Sequence, residues 1–427
     1  MVPLIRCSLK NTSYARKCPI FKSCAVLLFA LFFVMNFIPG SLSGVNTASA
    51  CARRTALSGS RNNEQKAGQL YDKGISCLKK HRYEDAQRYF ENVVELAPHI
   101  DDYWLALGDT YGILCRYDKA ISSYSECLKI QEQEHNSTEK IAMVYNRMAN
   151  MLYDLGDYQQ SKTYMEKAIT ITEMLYPDSY VVLGRYYNNM GYLFYEMNDY
   201  TQALYYFGKT VYITRQFASR PNSNTAMALN GFGMVNKELG DYTRAAGYHE
   251  QALEIDRQIY SKPYPAMSFT YSNLGSLYMA MGDYPRSLEY YRQALAIDEQ
   301  VFTFPHPMLA IRYNELGLAY NASGEHDRAI EHYKKAIDTD EQIKRTPDEH
   351  TAVYWDNLGA AYCYLEEYAR ARESYEKALD ILLTVFPSGK HADVAATYTI
   401  LAELHQKLGD TGKAEDCSRK AEASRQE

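Results

Sequence analysis

Tryptophan is nearly missing from this chain of 427 residues, which has 2 Trp and 13 Pro beside 40 Tyr. So little proline, with 46% apolar and 23% charged residues, excludes a collagen-like or disordered chain and leaves ample material for a core. Cysteine occurs without CxxC spacing. Cys7, Cys18 and Cys24 lie in the N-terminal segment, and Cys51, Cys77, Cys115, Cys127, Cys363 and Cys417 are scattered over the body, which indicates neither a disulfide framework nor a zinc site. No GxGxxG, GxxxxGK[ST], GxSxG or HExxH string occurs. His326 and His332 are not spaced three or four apart, as two ligands on one helix face would be, so no metal and no cofactor is expected. Acidic residues are absent from residues 1–63, which carry eight Lys/Arg, so a net charge of −6 leaves −14 for the rest and speaks against nucleic-acid binding.

One long apolar run exists, Cys24 to Ile38, preceded by Arg6, Lys10, Arg16, Lys17 and Lys22 and followed by Pro39-Gly40. Its 15 residues are short for a membrane span, which needs about 20. Residues 1–50 therefore read as a secretory signal or an N-terminal anchor. Three fates stay open. Ala48-Ser49-Ala50 suits a signal peptidase; with Cys51 it also resembles a lipobox, making Cys51 a possible lipidation site; or residues 24–38 stay in place as an anchor. Each places the body outside the cytosol, periplasmic, extracellular or membrane-anchored, with membrane contact only through the N-terminal segment. Residues 51–66 read as a polar linker.

Self-similarity dominates the remainder. A small residue recurs at Gly74, Gly108, Ala149, Gly191, Gly233, Gly275, Gly317, Gly359 and Ala402, mostly 42 residues apart, and twelve residues beyond each stands Ala or Ser. Small residues facing each other let two antiparallel helices approach closely. Nine residues after the anchor comes Tyr in seven units, with His326 and Thr411 as exceptions, and four before it stands Leu, Tyr or Trp. A turn such as Leu239-Gly240-Asp241-Tyr242 lies between, glycine ending one helix and Asp capping the next. Pro177, Pro221, Pro263, Pro305, Pro347 and Pro387 mark the joints between units.

This grammar resembles the tetratricopeptide repeat over about residues 67–423, and the 42-residue period is similar to that of kinesin light chains and Pins/LGN-type spindle-orientation scaffolds. The resemblance implies an all-α, right-handed α-solenoid of about nine helix–turn–helix units over residues 67–427. The units start near 67, 101, 142, 184, 226, 268, 310, 352 and 395.

Three and two residues before the anchor, asparagine recurs: Asn146, Asn188, Asn189, Asn230, Asn273, Asn314 and Asn357. Asparagine is a poor helix-interior residue, costing a few tenths of a kcal/mol against Ala, so its recurrence points to another use. An amide donates and accepts, which suits the backbone of an extended peptide. The resemblance supports this, since those families hold peptide main chain on a similar ladder. The alternative is that the amides bond one another. Tyr153, Tyr192 and Tyr195, on the same helices, are expected to give the groove an aromatic surface. A basic clamp for a C-terminal carboxylate has only Arg147 and Arg185 to draw on. The sequence thus points to an exported, non-enzymatic scaffold that binds a protein or peptide partner in its groove. The alternative is a structural subunit or spacer of an envelope complex that uses its outer face and ends.

Overall fold

The computed structural model describes residues 58–425, apart from 81, 115, 134–137, 177–179, 218–220, 303–304 and 344–348. Cys51 and the expected signal or anchor lie outside the described residues, within which no helix is long and apolar enough to cross a membrane.

The chain divides into two compact units, with the boundary between Leu239 and Gly240. The first contains α1 (Ser58–Lys79), α2 (Tyr83–Leu96), α3 (Asp101–Ile113), α4 (Tyr117–Gln133), α5 (Thr138–Asp154), α6 (Tyr158–Leu175), α7 (Tyr180–Glu196), α8 (Tyr200–Phe217) and α9 (Ser223–Glu238). The second contains α10 (Tyr242–Ile259), α11 (Pro265–Ala280), α12 (Tyr284–Val301), α13 (Pro307–Ala322), α14 (His326–Ile343), α15 (Glu349–Tyr364), α16 (Tyr368–Val385), α17 (Ala392–Lys407) and α18 (Thr411–Arg425). All described elements are helices, and within each unit odd and even helices pair into stacked hairpins. The fold is an all-α solenoid of tetratricopeptide hairpins.

The sequence grammar sets these boundaries. Every even-numbered helix starts at the ninth residue after the anchor. Asp157, Asp241 and Asp283 cap three of them, each accepting from the backbone N–H three residues on. The turn before the cap is left-handed, with positive φ at Gly156, Gly240, Gly282, Gly324 and Gly409, and at Asn198 and Glu366 where glycine is missing. From α3 onward the odd helices begin within four residues of the expected unit starts. The first begins earlier, because residues 58–66, read as linker, form the opening turns of α1. Its polar sequence hides an apolar contact: Ala67 is buried with Val93 and Ala97.

Close approach is achieved at two points of most hairpins. The small residue twelve after the anchor is fully buried in all but the last, as at Ala86, Ala203 and Ala329, while Ala414 is half-buried. Sixteen after the anchor stands an aromatic ring that lies flat on the glycine: Phe90 on Gly74, Tyr124 on Gly108, Phe207 on Gly191, Tyr291 on Gly275, Tyr333 on Gly317 and Tyr375 on Gly359. A β-carbon on any of these glycines would come within 2.5–2.7 Å of the ring. Where the anchor is alanine, at Ala149 and Ala402, the same position holds Met165 or Ser418 instead of a ring.

A candidate peptide-binding face on the odd helices

The odd helices lie side by side within each unit, so residues two to three before the anchor on one helix face their equivalents on the next. In the first unit Asn146, Asn188, Asn189 and Asn230 are all buried. Asn189 donates to Asn146 Oδ1 at 3.0 Å and to Asn150 Oδ1 at 3.4 Å. Asn188 donates to the Asn224 carbonyl at 2.9 Å, leaving its own Oδ1 buried without a partner.

The second unit repeats the rung between neighbouring helices. Asn357 donates to Asn314 Oδ1 at 2.9 Å, and Ser272 donates to Glu315 Oε1 at 2.6 Å. Each rung joins the residue three before one anchor to the residue two before the next, 43 positions later, as in the Asn146–Asn189 pair. The amides therefore do bond one another, yet not to exhaustion. Asn273 and Asn314 each keep a buried Nδ2 without a hydrogen bond. Buried polar atoms left unpaired cost about 1–3 kcal/mol each, so both amides have an unmet hydrogen bond. Asn314 is as buried as Tyr153, Tyr192 and Tyr195, so an outside acceptor would reach its Nδ2 only after the side chains over it shift.

The three tyrosines are placed differently from expectation. Tyr153, Tyr192 and Tyr195 are at most 2% exposed, so they are packing between helices and not a groove surface. Tyr192 donates to the Met227 carbonyl at 2.9 Å and Tyr195 to Glu238 Oε1 at 3.3 Å, both across to α9. For Tyr192 and Tyr195 the cause is that α7 packs directly on α9; α9 is also held close to α8, since a β-carbon on Gly231 would lie 2.3 Å from the Phe207 ring. A tyrosine facing so near a helix buries its ring and finds a partner for its hydroxyl.

The matching positions of the second unit stay partly open. Ser276, Leu318 and Ala360 stand one residue after their anchors, and Met279, Asn321 and Cys363 four after; all six are half-buried. Asp356 occupies the asparagine position on α15, where burial, with the Asp393 charge adding to it, raises its carboxyl to about 8, and its Oδ1 has no hydrogen-bond partner. Sequence reasoning did not single out Asp356 as a candidate, although its register with Asn314 marks it.

Charged residues are spent internally. Arg147 pairs with buried Asp109, which also accepts from Tyr124 at 2.8 Å, so it is not free to clamp a carboxylate. Burial raises Asp109 to about 6 against the opposing pull of Arg147. In the second unit Arg312 is fully buried, donating to Asp298 and Glu315 at 2.8 Å each. His326 bonds Asn321 and His332 bonds the Arg328 carbonyl; among the described residues no cluster of ligating side chains is arranged for a metal.

Comparison with known proteins agrees with this architecture. Tetratricopeptide repeat models match residues 71–135, 140–216, 184–258, 266–342 and 350–427, most of the chain. The chain belongs to the tetratricopeptide repeat family. Among curated proteins it is similar to KINESIN LIGHT CHAIN-RELATED 2 of Arabidopsis thaliana, 36% identical over 67 residues, and to KINESIN LIGHT CHAIN-RELATED 1 of the same plant, 31% over 78 residues. Those matches cover 16% and 18% of this chain and only 10% and 13% of the two relatives. Among solved structures, a Rap protein complexed with Competence and Sporulation Factor is similar over 84% of this chain and 98% of its own, with a TM-score of 0.52 at 14% identity. The APC/C hetero-tetramer Cut9-Hcn1 is similar over 80% of this chain and 56% of that one, with a TM-score of 0.50 at 21% identity. At these identities the likeness is one of fold.

Proposed function

We propose that the chain is a non-enzymatic scaffold that holds an extended segment of a partner protein against the odd helices of its second unit. The observation that carries this is the pair of buried, unpartnered amide nitrogens of Asn273 and Asn314, bordered by a half-open row of small and aliphatic side chains. Peptide carbonyls would complete the amides, and the open row would seat alternate side chains. The family's general use in protein–protein contacts agrees with it. The similar Rap fold was solved with its Competence and Sporulation Factor, which shows that such a solenoid can carry a ligand.

The reading extends to location: the basic, apolar N-terminal segment exports the body. Mass determination of the mature N-terminus separates cleavage after Ala50, lipid on Cys51 and an intact anchor. For the binding site, crosslinking in the native host is compared for wild type and for Asn273→Ala with Asn314→Ala. A partner captured by wild type and lost by the variant, with helicity retained and a small drop in melting temperature from the lost Asn357–Asn314 rung, is the expected result. An unchanged set of partners would shift weight to the assembly-subunit reading, in which the outer face and ends make the contacts.

A further inference from the structure

The even-numbered helices turn one face outward, and on all but one of them that helix carries at least two carboxylates. The exception is α8, whose sequence YTQALYYFGKTVYITRQF contains no acid and has Lys209 and Arg215. At three register positions where half of the other even helices place Glu or Asp, α8 places Tyr205, Gly208 and Tyr212. The two tyrosines are 57% and 67% exposed and, seven residues apart, share one face. Gly208 between them is required by nothing inside the fold: a β-carbon there would meet no atom within 4 Å.

An open cavity of about 430 Å³ lies there, lined by Gly208, Val211, Tyr212, Arg215, Gln216 and Phe232. That volume is within the roughly 300–1,000 Å³ common for ligand sites. Arg215 at its rim is exposed and makes no ion pair among the described residues. Lys209, 4.0 Å from the Tyr187 ring, is paired with Glu173 at 3.5 Å, so among the described residues the unpaired cation beside the cavity is Arg215.

We propose that the outer face of α8 is a second docking surface, which takes an acidic segment of a partner protein with one aromatic or large aliphatic side chain seated over Gly208. Charge selects the occupant: the chain beyond residue 63 sums to −14, whereas α8 itself carries no carboxylate and Arg215 at the cavity rim is without an ion pair among the described residues, so this spot attracts what the rest of the surface repels. Tyrosine and arginine around a notch without a side chain are the residue types that dominate binding energy at protein interfaces.

The probe is a displayed library of random short peptides, selected on the full chain and counter-selected on Gly208→Glu, which fills the notch and adds the missing carboxylate. Peptides with an aromatic or Leu flanked by Asp or Glu are expected to survive. Their affinity should fall more than about tenfold in both Gly208→Glu and Arg215→Glu. It should stay unchanged in Asn273→Ala with Asn314→Ala, so failure here is distinct from failure of the groove. Photo-crosslinks from the central side chain are expected on α8. The proposal is overturned if selected peptides bind Gly208→Glu equally while helicity is intact, if they lack acidic residues, or if their crosslinks map elsewhere. Stronger, Arg215-dependent binding to phosphatidylserine vesicles than to any peptide would overturn it in favour of a membrane surface.

Discussion

Between α7 and α9 the seam of odd helices is tied to backbone: Asn188 and Tyr192 donate to carbonyls of the neighbouring helix. Along α11, α13 and α15 it is tied by side chains alone, Ser272 to Glu315 and Asn357 to Asn314. A side-chain-to-backbone bond requires close helices, and here α7 packs directly on α9 with Tyr195 sealed in. Beside the side-chain rungs of α11, α13 and α15 the positions after the anchor are half-open, whereas beside the Asn146–Asn189 rung of the first unit Asn150 and Tyr153 are buried. The asparagine ladder thus runs beside buried tyrosines in the first unit and beside smaller, half-open side chains in the second.

The largest expected effect tests the second unit's seam. Arg312 neutralises two buried carboxylates, Asp298 and Glu315, and burial already pushes Asp298 above the usual carboxylate range. Arg312→Met leaves both charges buried without their cation and should cost about 3–5 kcal/mol by chemical denaturation. The counterpart in the first unit, Arg147→Met, leaves only Asp109 and should cost less. An equal loss would show that the two seams do not differ in this respect.

Next comes a pH effect carried by one buried carboxyl of the second unit. Asp256 is buried, its Oδ1 lacks a partner, and burial raises its pKa from 3.8 to about 7 against the bond from Thr270. The folded state therefore holds this proton more tightly than the unfolded chain does. The stabilisation is fully present below the unfolded pKa, declines as pH rises between about 4 and 7 at up to about 1.4 kcal/mol per pH unit, and is gone above the folded pKa. Asp256→Asn should melt higher than wild type at pH 8 and near it at pH 4. A constant difference across that range would remove Asp256 as the cause.

How far the sequence announced all this can be argued from single positions. The starts of the even helices were legible because the tyrosine nine after each anchor is the first helical residue, as at Tyr158 and Tyr284. The rungs were legible as an alternative, since amides in register can serve each other as well as a ligand. The ring sixteen after the anchor was equally visible, at Phe90, Tyr124, Phe207, Tyr291, Tyr333 and Tyr375, yet it gains meaning only when seen lying on glycine. The burial of Tyr153, Tyr192 and Tyr195 was not legible, because it depends on how near the next helix comes. The start of α1 escaped because residues 58–66 are polar, and one buried alanine anchors what composition reads as tether.

The ring lock itself offers a smaller comparison between units. In the first, Ala149 is paired in register with Met165; in the second, Gly317 is covered by Tyr333. Gly317→Ala brings a β-carbon within 2.5 Å of that ring and should cost about 1–3 kcal/mol through overpacking. Adding Tyr333→Met copies the natural Ala–Met pair, so the double variant should be more stable than the sum of the single losses implies. Strict additivity would mean that the glycine is kept for some reason other than the ring.

The smallest effect lies in the turns that join the two helices of a hairpin. Five of them place glycine at positive φ; the first unit has Asn198 there at φ 60° and the second has Glu366 at φ 61°. Asparagine visits the left-handed region readily, because its short polar side chain bonds nearby backbone, whereas a glutamate β-carbon crowds the following carbonyl. Glu366→Gly relieves that crowding but gives the unfolded chain more freedom, so the net gain should be modest, about 0.5–1 kcal/mol. Asn198→Gly trades the same freedom for less relief and should gain little or nothing. A larger gain at Asn198 than at Glu366 in matched thermal melts would mean that the conformations of these two turns do not limit the stability of their units.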